Sequence, residues 1–313
     1  MVDNYSPRSP TDAILATLAY FDVFEYPLTA VEAHKFLWQQ KATLGDVVAE
    51  LEAMETAGTV SRQFGYYCLP GREALVETRW QRYLLAEKKY QRALMAASWL
   101  RLVPNIRIAA VCNNLAYSNA RAESDVDLFI VTAPHRIWLT RLLVTLVVQL
   151  LGLRRYGDKI ADRCCLSFYL TADASDLKPF ALTPDDPYLC YWLATLAVIY
   201  ARPGAAEEFW RANDWVKNFL PNFRPRVMNG RRTIPPVHRS SRLATAAGDW
   251  LNQIAKHLQL AKMAARERNR QRGVGVVVSD RVLKFHEEDR RAQYRQEWRK
   301  RLTNYELRIT NHG

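Results

Sequence analysis

Asp125 and Asp127 stand two residues apart at the mouth of an apolar run, Val126–Thr132. Side chains two apart on a strand share a face, so both carboxylates can converge on one hard cation. Magnesium, or manganese in its place, suits such a pair because it keeps oxygen coordination and leaves positions for phosphate oxygens. An Asp-x-Asp pair alone is common in solvated loops. Ser124 before it and the apolar strand after it lift it above that background. Upstream, the apolar strand Ile106–Cys112 turns through Asn113 and Asn114 into a short helix within Asn113–Glu123. Its first N–H groups would point at whatever lies before the aspartates, and helix N-termini bind phosphate through unpaired donors and the dipole. A phosphate cradle beside a metal pair makes a coherent nucleotide site.

The elements that must position these residues lie within 105–200. The pattern reads as strand (Ile106–Cys112), turn and short helix, strand (Val126–Thr132, apolar enough to be covered on both faces), helix (Pro134–Gly152), strand (Cys164–Thr171) and helix (Tyr188–Tyr200). That order predicts an α/β (α+β) core with a small mixed sheet and helices. Ahead of it, residues 1–71 carry helical spacing at Ile14, Leu15, Leu18 and Phe21. Capping pairs follow at Thr29/Glu32 and Thr43/Asp46, then a hairpin turning near Phe64–Gly65. Three helices and a hairpin give the order of a winged helix. Its third helix, Leu44–Thr56, holds Asp46, Glu50, Glu52 and Glu55 and no Lys or Arg. Acidic side chains repel phosphate, so this unit reads as a packing or protein-contact module rather than a DNA reader. Residues 72–104 form a connecting helix ended by Pro104, and 201–313 form a mainly helical, basic C-terminal region.

The segment Val111–Val131 resembles the signature of nucleotidyltransferases of the DNA polymerase β superfamily: Gly-Ser-x-Ala-Arg-Gly, a spacer, then Ser-Asp-x-Asp and apolar residues. Asn113 and Asn114 fall on the Gly-Ser pair, Ala116 on the Ala, Tyr117 and Ser118 on the Arg-Gly, and Ser124, Asp125, Val126 and Asp127 on the second half. The N-terminal unit ahead of the core is similar to an arrangement in bacterial members. The resemblance implies magnesium-dependent nucleotidyl transfer from a nucleoside triphosphate to an acceptor hydroxyl, on a macromolecule or a smaller acceptor. Asp125 and Asp127 would hold the metal, while Asn113, Asn114 and Ser124 would face the nucleotide. Family members also place a third acid on a later strand. The matching strand, Cys164–Leu170, has none: Ser167 sits about where it would be expected, and Asp162 and Asp173 flank it. Two functions therefore stand side by side, a transferase and a catalytically degenerate nucleotide-sensing or partner-binding module. A third carboxylate within about 4–6 Å of the pair separates them.

Composition sets the surroundings. The chain has 313 residues, a net charge of +12 and 49% hydrophobic residues, enough to bury a core. From Met1 to Phe223 there are 23 Lys/Arg against 24 Asp/Glu, a net of −1. From Arg224 to Gly313 there are 21 against 8, a net of +13. That asymmetry points to an anionic partner, nucleic acid or another polyanion, through 224–313, with a protein partner as the other candidate. Solvated helix faces would give the same composition. No stretch reaches the length of a membrane span, so no membrane partner is expected. The N-terminus lacks a secretory layout, and the five cysteines (Cys68, Cys112, Cys164, Cys165, Cys190) have no disulfide or zinc pattern. These features read as a cytoplasmic protein with buried thiols. The six histidines show no metal spacing, and Trp192, Trp210 and Trp215 read as core.

Overall fold

The computed structural model describes residues 5–237, 246–267, 275–285 and 288–312. Within the basic region 224–313, residues 238–245, 268–274, 286–287 and 313 lie outside them. The fold is mixed α/β. Its first helices begin where capping chemistry dictates. Ser9 caps α1 (Pro10–Val23) with Pro10 in the first turn. After a two-residue strand β1 (Leu28–Thr29), Thr29 and Glu32 close a reciprocal capping box on α2 (Ala30–Lys35). Thr43 and Asp46 do the same for α3 (Leu44–Thr56). A hairpin of β2 (Ser61–Gln63) and β3 (Tyr66–Cys68) follows, and the small sheet has the order β1-β3-β2. The 26-residue α4 (Leu75–Leu100) then leads into the core.

The core sheet has six strands in the order β7-β4-β5-β6-β9-β8. β4 (Ile106–Val111) and β5 (Val126–Thr132) are antiparallel, β5 and β6 (Cys164–Thr171) parallel. The single-turn α5 (Asn113–Ala116) follows β4, and α6 (Ile137–Leu150) makes the crossover between β5 and β6. Sequence alternation on β4 and β5 is real: Val126, Leu128 and Ile130 bury among α4 and α6. Phe129 and Val131 bury on the other face with residues of α1 and of α7 (Pro187–Thr195). Both faces of the central strand are thus covered, as its continuous apolar run predicts.

One expected helix is shorter than the sequence pattern suggests. The run Tyr188–Tyr200 reads as helical, yet α7 stops at Thr195 and Ala197–Ala201 form strand β7 beside β4. Val198 and Ile199 are β-branched, and an unbroken apolar run does not distinguish a buried helix from a buried strand. The mainly helical C-terminal region also supplies two strands. After α8 (Ala205–Ala212) and α9 (Ala246–Glu267), strands β8 (Val276–Val278) and β9 (Val282–Phe285) extend the core sheet through β6. The last helix, α10 (Arg291–His312), returns to α1, where Trp298 is fully buried and donates through Nε1 to the Ala16 carbonyl at 2.8 Å. No helix among the described residues is long and apolar enough to cross a membrane.

Candidate functional site

Asp125 ends a loop that a buried cation holds in place. Lys89 of α4 is 1% exposed, and its ammonium donates to the carbonyls of Ala122 (3.0 Å) and Ser124 (2.7 Å) and to the Asp162 carboxylate (2.7 Å). A buried ammonium needs this many acceptors, and here they fix the turn just ahead of β5. No local pattern signals this role, since Lys89 sits in a helix among other polar residues.

Asp127 is two residues along the same strand face. Its carboxylate accepts from Asn113 Nδ2 at 2.7 Å. Asn113 adopts φ +57°, the left-handed turn that a glycine would take most readily and that asparagine tolerates. Its other amide atom, Oδ1, accepts from Trp192 Nε1 at 2.9 Å and from the Tyr188 hydroxyl at 3.5 Å. An asparagine at this position therefore keeps the turn and adds a side chain that reaches the acid. Trp192, expected only as core, is buried and also orients this amide.

Opposite Asp127 across the parallel pair β5–β6 stands Cys165, with Val126 opposite Cys164. A register shift follows between Asp127 and Phe129, whose partner is Phe168. Ser167, the expected third-acid position, is thereby left without a register partner on β5, while Cys165 stands beside Asp127. The two flanking acids are engaged elsewhere: Asp162 by Lys89, Asp173 by Arg281 at 3.2 Å. The ligand atoms of Asp125, Asp127 and Cys165 all lie within 4.8 Å of one another, the one such group of three among the described residues.

The electrostatics of the pair are unbalanced. Burial and the neighbouring Asp125 push Asp127 up to about 6, against the pull of the Asn113 amide. Burial and then Asp127 push the Cys165 thiol up to about 12. Asp125 is 14% exposed and meets the half-exposed Arg155 guanidinium at 2.5 Å. That guanidinium sits where a cation would be welcome. The donor chemistry fits one divalent ion held by two carboxylates with phosphate oxygens completing the shell. The thiol suits softer ions than magnesium.

The remaining predicted residues are placed as follows. Asn114 accepts from the Tyr117 hydroxyl at 2.7 Å and lines a crevice next to Asn113. Ser124 turns its hydroxyl to the Arg121 carbonyl at 2.8 Å, a loop-closing bond. Arg121 pairs with Glu25 of the N-terminal unit at 2.9 Å. The helix after Asn113 is one turn long, so its dipole adds little to any phosphate cradle. Comparison with protein-family models, with curated proteins and with solved structures finds no match for this chain.

Proposed function

We propose that this chain binds a nucleoside triphosphate together with a divalent cation, on a core of the polymerase-β nucleotidyltransferase type. In this reading it works as a nucleotide-sensing, partner-contacting module rather than as a transferase. Asp125 and Asp127 hold the cation, and Asn113 and Asn114 face the β and γ phosphates. When bound, magnesium or manganese would neutralise phosphate charge. The N-terminal unit, with its helix–helix–helix–hairpin order and small three-stranded sheet, supports the winged-helix reading, and its acidic third helix suits a protein partner.

The observation that carries this choice is that the third ligand atom beside the acid pair is a thiol, that of Cys165 in register with Asp127, and not a carboxylate. With Asp162 and Asp173 tied to Lys89 and Arg281, no described carboxylate joins the pair to take the proton of an acceptor hydroxyl. Transfer remains the second reading, favoured by the convergence of three potential ligand atoms within 4.8 Å.

Titration calorimetry with each nucleoside triphosphate and Mg2+ or Mn2+ tests both. Binding is expected for the intact protein. The double variant Asp125→Asn/Asp127→Asn is expected to bind at least a hundredfold more weakly while retaining its circular dichroism. Undiminished affinity in that variant rejects the site. Transfer of label from a labelled triphosphate to any component of a cell extract, lost in the double variant, replaces the binding role with the transferase.

A further inference from the structure

The core sheet carries a layer of helices on each face, and the two layers differ on their outer sides. One layer is α1, α7, α8 and α10, none of which exposes a large apolar side chain among the described residues. The other is α4, α6 and α9, with α6 packed against both of its neighbours. These three helices turn Ala93 and Ala97, Val144 and Val148, and Ala255 to the core. On their outer sides larger residues recur four or eight positions apart: Met95 and Trp99, Leu146 and Leu150, Trp250 and Leu258, each more than half exposed. Single exposed leucines are ordinary, but adjoining ridges on three helices are not. The charge on this layer has one sign. Residues 92–102, 137–150 and 250–266 hold six Lys/Arg and no Asp or Glu. At its margins Asp162, Asp249 and Asp280 are already paired, with Lys89, Arg136 and Lys256.

We propose that the α4–α6–α9 face rests on an anionic lipid bilayer, its apolar ridges in the boundary between headgroups and acyl chains and its Lys and Arg at the lipid phosphates. The attachment is peripheral: an apolar, cation-rimmed helix face lies in the interface and no helix has to cross. Charge complementarity selects this occupant. A second copy of the chain would set one cationic, acid-free face against another, and like charges brought together oppose docking. A protein partner would have to match three separate ridges, whereas a fluid lipid surface moulds to them. Tryptophan suits the boundary because its ring is apolar and its N–H polar, and long basic side chains lay their stems along the apolar surface while their heads reach phosphate. Anionic headgroups add an attraction that neutral ones lack. The proposal stands whether or not the acid pair binds a nucleotide.

Flotation of the full chain with vesicles tests this, comparing pure phosphatidylcholine with phosphatidylcholine containing about 30% phosphatidylserine. The protein is expected to float with the anionic vesicles and to partition at least tenfold more weakly onto the neutral ones. Brominated acyl chains in the anionic vesicles are expected to quench its tryptophan emission, and Trp250→Phe to lose part of that quenching. The double variant Leu150→Glu/Trp250→Glu changes two exposed positions and is expected to partition at least tenfold more weakly with unchanged circular dichroism. Wild-type protein that floats with neither vesicle overturns the proposal. Binding that salt abolishes and the double variant leaves intact overturns it too, since adsorption would then belong to basic segments alone. If the wild type ignores vesicles yet self-associates, and the double variant does not, a second copy covers this face instead. The wild-type vesicle comparison needs no variant, so a misfolded double variant does not rescue the idea.

Discussion

Asp185 and Asp186 are 1% and 3% exposed, and three arginines of α10 meet them: Arg291 at Asp186 (2.8 Å), Arg295 and Arg299 at Asp185 (3.3 and 3.1 Å). Asp186 also caps α7 by accepting from the Leu189 N–H at 2.9 Å. Asp125 and Asp127 are more open, yet they share a single guanidinium, Arg155, which contacts Asp125 alone, and one amide, that of Asn113. The first pair is compensated charge for charge and joins the C-terminal helix to the core. The second is left with surplus negative charge beside a cavity. Surplus charge held by the fold is costly to stability and is characteristic of a site awaiting a ligand, whereas matched charge is structural.

Breaking the matched pair should give the largest effect. Arg291→Met removes the cation from Asp186, whose side chain is 2% exposed, together with a hydrogen bond to the Phe180 carbonyl. Stranding one partner of a buried ion pair costs about 3–5 kcal/mol. Urea unfolding of this variant should show a loss of that size and release of α10 from α1, seen as red-shifted Trp298 emission. A loss below about 1 kcal/mol would place this bridge among the weak surface pairs.

The same contrast explains what the sequence could and could not disclose. The capping pairs, the hairpin, the apolar strand and the acid pair depend on residues close in sequence, and each is where the pattern placed it. Cys165 was overlooked in favour of Ser167 because strand register is a tertiary property. Asp127 pairs with Cys165, and the one-residue irregularity that follows gives Phe129 the partner Phe168 in place of Ser167. Lys89 was lost among helix polars because its acceptors lie in a loop far along the chain. The charge asymmetry was visible, but net charge carries no information about internal partners. In the structure Arg291, Arg295, Arg299 and Arg301 of the basic region turn inward to Asp186, Asp185 and Asp22, while Arg232 pairs with Glu87. Much of the described positive charge is thus structural. Binding of nucleic acid or another polyanion through 224–313 is a proposal that the surface left over must carry.

Relieving the unmatched pair should act in the opposite direction. Asp127 is held up at about 6, above the ordinary carboxylate value near 4, so the folded state binds its proton more tightly than the unfolded chain does. Its contribution is full below about pH 4 and is lost as pH rises through about 6. Asp127→Asn keeps an acceptor for Asn113 and removes the charge. It should therefore raise stability by about 3 kcal/mol at pH 7.5 and leave it nearly unchanged at pH 4. Urea midpoints at the two pH values measure this. An equal gain at both would assign the effect to packing rather than to charge.

The smallest effect tests whether Trp192 positions the site or merely fills space. Its Nε1–H is the shorter of two hydrogen bonds that fix the Asn113 amide, and its ring packs edge-on to Phe129 at 5.4 Å. Trp192→Phe keeps a ring and deletes the donor, at a cost of about 1 kcal/mol. A packing role alone would end there. If the indole orients Asn113, the bond from Asn113 to Asp127 loosens as well. Because that bond favours the charged carboxylate, the Asp127 pKa should climb further above about 6. Carboxyl carbon NMR of the two proteins reads this directly, with Asp125 as the internal comparison. An unmoved Asp127 titration would reduce Trp192 to core and leave the Tyr188 hydroxyl and the turn itself to hold the amide in place.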